Sequence, residues 1–126
     1  MDERHVLVVE DDEAIRGLVE LIASRHGYTS SLVTDGGEAI AALAGETTYD
    51  AVILDLMMPN VSGYDVIRYI KENSLPVPVI VVTAAIKGLD WTRIDKSVVK
   101  AVLTKPFEIE ALTGALTAVC GAPHSR

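Results

Sequence analysis

Apolar residues in this chain fall into two alternating patterns. Continuous runs of four to six residues, the length of strands covered on both faces, occur at residues 5–9 (HVLVV), 51–54 (AVIL) and 79–83 (VIVVT). A weaker, more polar run at 28–33 suits a sheet edge, and residues 100–104 form a last short strand. Between the runs, apolar positions recur at helical spacing. Ala14, Ile15, Leu18, Val19 and Ile22 share one helix face, with Gly27 placed to cap it. Ala39, Ile40 and Leu43 share the face of a short helix entered through Asp35-Gly36-Gly37 and closed by Gly45. Val66, Ile67 and Ile70 mark a third, opened by a capping box from Ser62 to Asp65. Residues 107–119 form an amphipathic final helix closed by Gly121. Residues 84–99 hold no consistent face, and Gly88 interrupts them, so only a short or mobile fourth helix is expected there.

Five strands alternating with five helices predict an α/β fold, a three-layer sandwich with parallel strands joined by right-handed crossovers. Ligands of such sheets bind at the carboxyl ends of the strands. Those ends carry Glu10 and Asp11 after the first strand, Asp55 after the third, Thr83 at the end of the fourth and Lys105 after the fifth. Asp55 on its own reads equally as a functional carboxylate or as a capping or turn residue. In the loop that follows it, Met58-Pro59 and Gly63 suit a turn into a helix, Pro fixing φ and Gly free to take positive φ. Taken together, three carboxylates repel one another and call for a cation, and all-oxygen ligands suit Mg²⁺ or Mn²⁺. Lys105 and Thr83 are suited to the oxygens of an anion such as a phosphoryl group, and a carboxylate can itself be the nucleophile.

At 126 residues and 49% hydrophobic, the chain is sized for one domain with a substantial core. A net charge of −7 disfavours direct contact with nucleic acid and favours a divalent cation or a basic protein surface. The single cysteine, Cys120, reads as a small apolar residue of the last helix in a reducing compartment. The N-terminus, Met1-Asp2-Glu3-Arg4, has no signal-peptide pattern and no run approaches a membrane span, so a cytoplasmic protein without membrane contact is expected.

The segments VVEDDEAIR, DLMMPNVSG, VVTAA and LTKPF, in this order, resemble the receiver domain of two-component response regulators. The resemblance spans residues 1–121 and leaves 122–126 as a polar tail. It implies a flavodoxin-like sheet of order 2-1-3-4-5 and a switch protein rather than an enzyme, with slow autodephosphorylation at most. Asp55 is implied as the phosphoacceptor for a histidine kinase or histidine phosphotransfer protein. Mg²⁺ is implied to be held by Glu10, Asp11, Asp55 and the Met57 backbone carbonyl, with Thr83 as the switch hydroxyl. Lys105 is implied to pair first with Asp55 and then with the phosphoryl group, through a cis bond to Pro106. Asp12 and Glu13 are left to the first turn of the helix.

Four features depart from the family pattern. Val102 stands where many receivers have Tyr or Phe, which removes an aromatic rotamer switch. The usual Gly-Ala turn is missing from residues 96–100. The final helix lacks Lys and Arg, which disfavours dimerisation through that face and leaves a monomer or weak dimer. Met57 and Ala85 flank the site with apolar groups, which favours a long-lived acyl phosphate. Trp91 is expected to pack partly against the sheet. The competing functions are a docking module that works without phosphorylation, an aspartate-nucleophile phosphatase and a flavin binder. Met57 occupies the second acidic position that the phosphatase needs, and no Ser/Thr/Gly-rich loop follows the first strand for flavin.

Overall fold

The computed structural model describes residues 4–58, 61–84 and 86–121. Pro59, Ala85 and the 122–126 tail, which carried expectations above, lie outside the described residues, as do residues 1–3 and Asn60.

Five strands, β1 (Arg4–Val9), β2 (Tyr28–Val33), β3 (Ala51–Leu54), β4 (Val79–Thr83) and β5 (Val99–Thr104), form one sheet of order β2-β1-β3-β4-β5. Every pairing is parallel. The polar strand β2 lies at an edge, as its composition requires, while all residues of β3 and β4 are buried. The period-two alternation of strand side chains divides the core between the two faces. Leu7, Val9, Val52, Leu54, Val79 and Val81 pack on one side with Val66, Ile67 and Ile70. Val6, Val8, Ile53, Ile80 and Val82 pack on the other with Val19, Ile22, Leu112 and Leu116.

Those covering residues, together with Ala39 on the first face, belong to α1 (Glu13–Arg25), α2 (Gly36–Ala44), α3 (Gly63–Glu72) and α4 (Ile109–Cys120). Asp12 caps α1 by accepting from the Ile15 N–H, Asp35 caps α2, and Ser62 with Asp65 forms the capping box of α3. Gly27 (φ 92°) follows the C-cap of α1 and Gly121 (φ 77°) ends α4, both in the left-handed region. Cys120 is buried among the α1/α4 core residues, and burial pushes its thiol up to about 11.

Among the described residues there are four α-helices rather than the five expected. Between β4 and β5 the chain makes two single 3₁₀ turns, Ile86–Gly88 and Trp91–Arg93. Asp90 accepts from the Thr92 N–H (3.1 Å) and Asp95 from the Ser97 N–H (2.8 Å). Such local side-chain bonds compete with helix propagation, and Leu89, Ile94 and Val98 turn inward individually. β5 starts one residue earlier than expected, and its register with β4 skips Lys100 as a bulge. The final helix begins at Ile109, leaving Phe107 in the preceding loop, partly packed on the core.

Gly63 is required for closeness rather than for positive φ. It opens α3 in helical conformation, and a Cβ there would stand 2.6 Å from the Asp55 carbonyl oxygen and 2.7 Å from Leu56 Cα. Gly114, on the exposed side of α4, has nothing within 4 Å of an added Cβ. Gly63→Ala should therefore destabilise the protein by about 1–3 kcal/mol through overpacking against backbone, whereas Gly114→Ala should stabilise it by about 0.5–1 kcal/mol. Urea unfolding midpoints measure both, and equal shifts would contradict this reading of Gly63.

Candidate phosphoacceptor site

The carboxyl ends of β1, β3 and β5 converge because β1 and β3 are neighbours and β4 carries β5 alongside. The Asp55 N–H donates to the Val9 carbonyl (3.0 Å), extending the β1/β3 ladder by one residue and fixing where the carboxylate emerges. The Lys105 N–H donates to the Thr83 carbonyl (2.8 Å), doing the same for β4 and β5. The Lys105-Pro106 bond is cis.

Glu10 and Asp55 are each only 4% exposed, and Thr83 is fully buried. Glu10, Asp11 and Asp55 offer carboxylate oxygens that all lie within 4.8 Å of one another, with Asp11 on the solvent side. Lys105 enters this cluster from the β5 end. Its Nζ lies 2.8 Å from Glu10 Oε1 and 3.5 Å from Asp55 Oδ2. The ammonium is thus shared between two buried carboxylates and closer to Glu10, a partner that the sequence did not suggest. Asp55 Oδ1 accepts from the Met57 N–H (3.1 Å), so both Asp55 oxygens are engaged. The Met57 side chain itself is 59% exposed.

Burial raises the pKa of Glu10. The hydrogen bond from Lys105 opposes this and repulsion from Asp55 adds to it. Burial alone would lower the pKa of Lys105, but the hydrogen bond to Glu10 and the charge of Asp55 outweigh it, and the net shift is upward. Lys105 is therefore a firmly held cation at neutral pH, among more negative charge than it can neutralise.

Asp12 and Glu13 stand outside the cluster, at the N-cap and first residue of α1. The Asp12 N–H donates to Glu10 Oε2 (3.2 Å). Sequence reasoning missed Arg16, whose guanidinium donates to the carbonyls of Glu10 (3.0 Å) and Asp11 (3.4 Å) and ties the acidic loop to α1. The available signal was a cation one helical turn beyond Asp12. Val102 packs partly against the core, and beside it Trp91, 54% exposed, borders a shallow groove with Ile94 and Val99. Trp91 is thus partly packed beside β5 and about half exposed.

An open parallel sheet of this order, with clustered carboxylates and a lysine at its strand ends, defines the class as doubly wound α/β domains that work through strand-end loops. The family model described as "Response regulator receiver domain" matches residues 6–117, and the chain belongs to that family. Among its relatives, the uncharacterized transcriptional regulatory protein YkoG of Bacillus subtilis is 36% identical over 124 residues, 94% of this chain and 51% of YkoG. The transcriptional regulatory protein TcrA of Mycobacterium tuberculosis is 35% identical over 120 residues, 90% of this chain and 45% of TcrA. The chain spans about half the length of these curated relatives. Among solved structures, the receiver domain of the sensor histidine kinase PA1611 from Pseudomonas aeruginosa superposes with a TM-score of 0.83 at 31% identity. The match covers 96% of this chain and 100% of that one, which is described with a magnesium ion coordinated in its active site cleft. The chemotaxis protein CheY4 of Vibrio cholerae gives a TM-score of 0.84 at 27% identity, over 94% and 99% of the two chains.

If Lys105 offsets the crowded carboxylates, Lys105→Gln should cost about 2 kcal/mol of stability, short of the roughly 3–5 kcal/mol for a fully buried pair because the site opens to solvent at Asp11. Millimolar Mg²⁺ should recover most of that loss by binding the folded state. Chemical denaturation with chelator and with Mg²⁺ checks this; a loss of the same size in both conditions would contradict it.

Proposed function

We propose that this domain accepts a phosphoryl group on Asp55 from a histidine kinase or histidine phosphotransfer protein and thereby switches what it binds. The observation that carries the proposal is Asp55 itself, a buried carboxylate at a strand end, hydrogen-bonded by Met57 and paired with Lys105, beside two further carboxylates. An Asp55 oxygen attacks phosphorus, the new O–P bond forms as the bond to the donor nitrogen breaks, and the donor leaves with that electron pair. Lys105, close to both Glu10 and Asp55, neutralises charge on the incoming phosphoryl oxygens. Thr83, at the end of β4 beside Lys105, is the hydroxyl placed to follow the phosphoryl group.

The donor set fits a hard divalent cation, Mg²⁺ or Mn²⁺. Glu10, Asp11 and Asp55 would supply the carboxylates, and the Met57 carbonyl, as the family resemblance implies, would be a fourth oxygen. When bound, such an ion draws negative charge from the transferring group and relieves the repulsion among the three carboxylates. The protein's own part is to hold these oxygens in place. The Arg16 bonds fix the acidic loop, and the Gly63 contact fixes the strand-to-helix turn.

The modification is a switch on the protein itself, with autodephosphorylation slow at most. Met57, apolar and 59% exposed, offers no group to orient a water, and this supports a long-lived acyl phosphate. The net charge of −7 disfavours direct DNA contact by this domain; the relatives' names, transcriptional regulatory proteins, make control of transcription one output of such a receiver. Among the described residues no helix is long and apolar enough to cross a membrane, which is compatible with work in the cytoplasm as a monomer or weak dimer. Val102 favours the second reading, docking without phosphorylation, but that reading leaves the buried acidic cluster and Lys105 without a purpose.

The test is intact mass after incubation with Mg²⁺ and a small-molecule phosphodonor, beside Asp55→Ala and a chelated sample. One added phosphoryl group on the unsubstituted, metal-supplied protein alone is expected. No adduct under any condition would sink the proposal and favour docking without phosphorylation.

A further inference from the structure

The segment between β4 and β5 is fastened to α3 by polar contacts concentrated on the first turn of that helix. The Tyr64 hydroxyl accepts from the Asp90 N–H (2.9 Å), and the Arg93 guanidinium lies over the Tyr64 ring, 4.5 Å from its centroid. Arg93 also approaches Asp65 Oδ1 at 4.0 Å. Farther along α3, Lys71 pairs with Asp95 (3.5 Å) and donates to Ser97 (3.1 Å). The first turn of α3 is in turn seated on the loop carrying Asp55. The space for a Gly63 Cβ is filled by the Asp55 carbonyl oxygen and Leu56 Cα, and the Gly63 N–H points to the Leu56 carbonyl (3.4 Å). A continuous set of close contacts therefore runs from Asp55 through Gly63 and Tyr64 to Asp90 and Arg93.

This fastening is built to exchange. Asp65 Oδ1 is already held by Arg68 at 3.1 Å, and its other oxygen accepts from the Ser62 N–H (3.1 Å), so Arg93 can depart without leaving an unpaired carboxylate. Asp95 likewise keeps the Ser97 N–H if Lys71 releases it. Both 3₁₀ turns are single turns, stabilised by few backbone bonds of their own. Loosening segment 86–97 would thus break mainly exposed or half-exposed polar contacts while Leu89 and Ile94 stay seated in the core, a balance that a local charge change can bias.

The geometry points to Tyr64 and Arg93 as the clasp that couples the state of Asp55 to the position of segment 86–97. Phosphorylation loosens it through the first turn of α3. This rests on the phosphoacceptor reading above. It supplies an output route that needs no aromatic residue at position 102, where the sequence has Val. Trp91 lies within the segment and is the only tryptophan in the chain, so its emission reports on the segment alone.

The experiment follows Trp91 emission of the full chain before and after treatment with Mg²⁺ and a phosphodonor, with intact mass measured on the same samples. In the unsubstituted protein, emission should shift in proportion to the Asp55 adduct. Arg93→Gln changes a half-exposed side chain, and Tyr64→Phe removes only the hydroxyl. Each should acquire the same adduct while its emission starts near the phosphorylated value and moves less than half as far. Full adduct formation without any Trp91 shift would overturn the coupling while leaving the phosphoacceptor reading intact. So would an unchanged shift in both variants, which would place the signal in the direct chain connection from Thr83. Absence of the adduct would overturn both.

Discussion

The sharing of the Lys105 ammonium between Glu10 and Asp55 is the interaction on which the site depends. Two carboxylates buried at the end of a hydrophobic sheet, with a third beside them, repel one another across a poorly screened gap. One lysine offsets part of that charge and leaves the cluster net negative. That remaining negative charge is what the proposed divalent cation would offset before a phosphoryl group arrives.

The fold supplies this arrangement through strand order. Because β1 and β3 are adjacent and β5 is reached through β4, residues 50 to 95 positions apart in sequence arrive at one edge of the sheet within hydrogen-bonding distance. Backbone bonds from Asp55 to Val9 and from Lys105 to Thr83 set the height at which each side chain emerges. Close packing then carries the site outward. The bare Cα of Gly63 lets α3 sit directly on the Asp55 loop, so a helix whose far side faces solvent is in mechanical contact with the buried acid. Stability and the proposed switching therefore share the same few contacts.

Much of this was legible in the sequence, and the rest was hidden for identifiable reasons. Short, β-branched apolar runs such as VIVVT suit strands covered on both faces, and the acids and Lys105 follow such runs directly, so strand positions and the candidate site residues could be read together. The helix expected between β4 and β5 was not found, because Asp90 and Asp95 bond to the backbone two residues on, a local competition that periodicity does not register. The nearness of Lys105 to Glu10 was invisible because it depends on side-chain reach across the site rather than on spacing along the chain. Gly63 was read as a source of positive φ, whereas its role is close backbone approach, which only tertiary structure defines. The seating of Arg93 on Tyr64, across 29 residues, had no sequence signal at all.

The central claim is that the carboxylate of Asp55, and no other in the cluster, becomes an acyl phosphate. The most direct test is borohydride reduction of the phosphodonor-treated, Mg²⁺-supplied protein followed by peptide mapping, because an aspartyl phosphate is reduced to homoserine at the modified position. Homoserine is expected at position 55, absent when chelator replaces Mg²⁺. Homoserine at position 11, a reduced product at Glu10, or no reduced residue would contradict it.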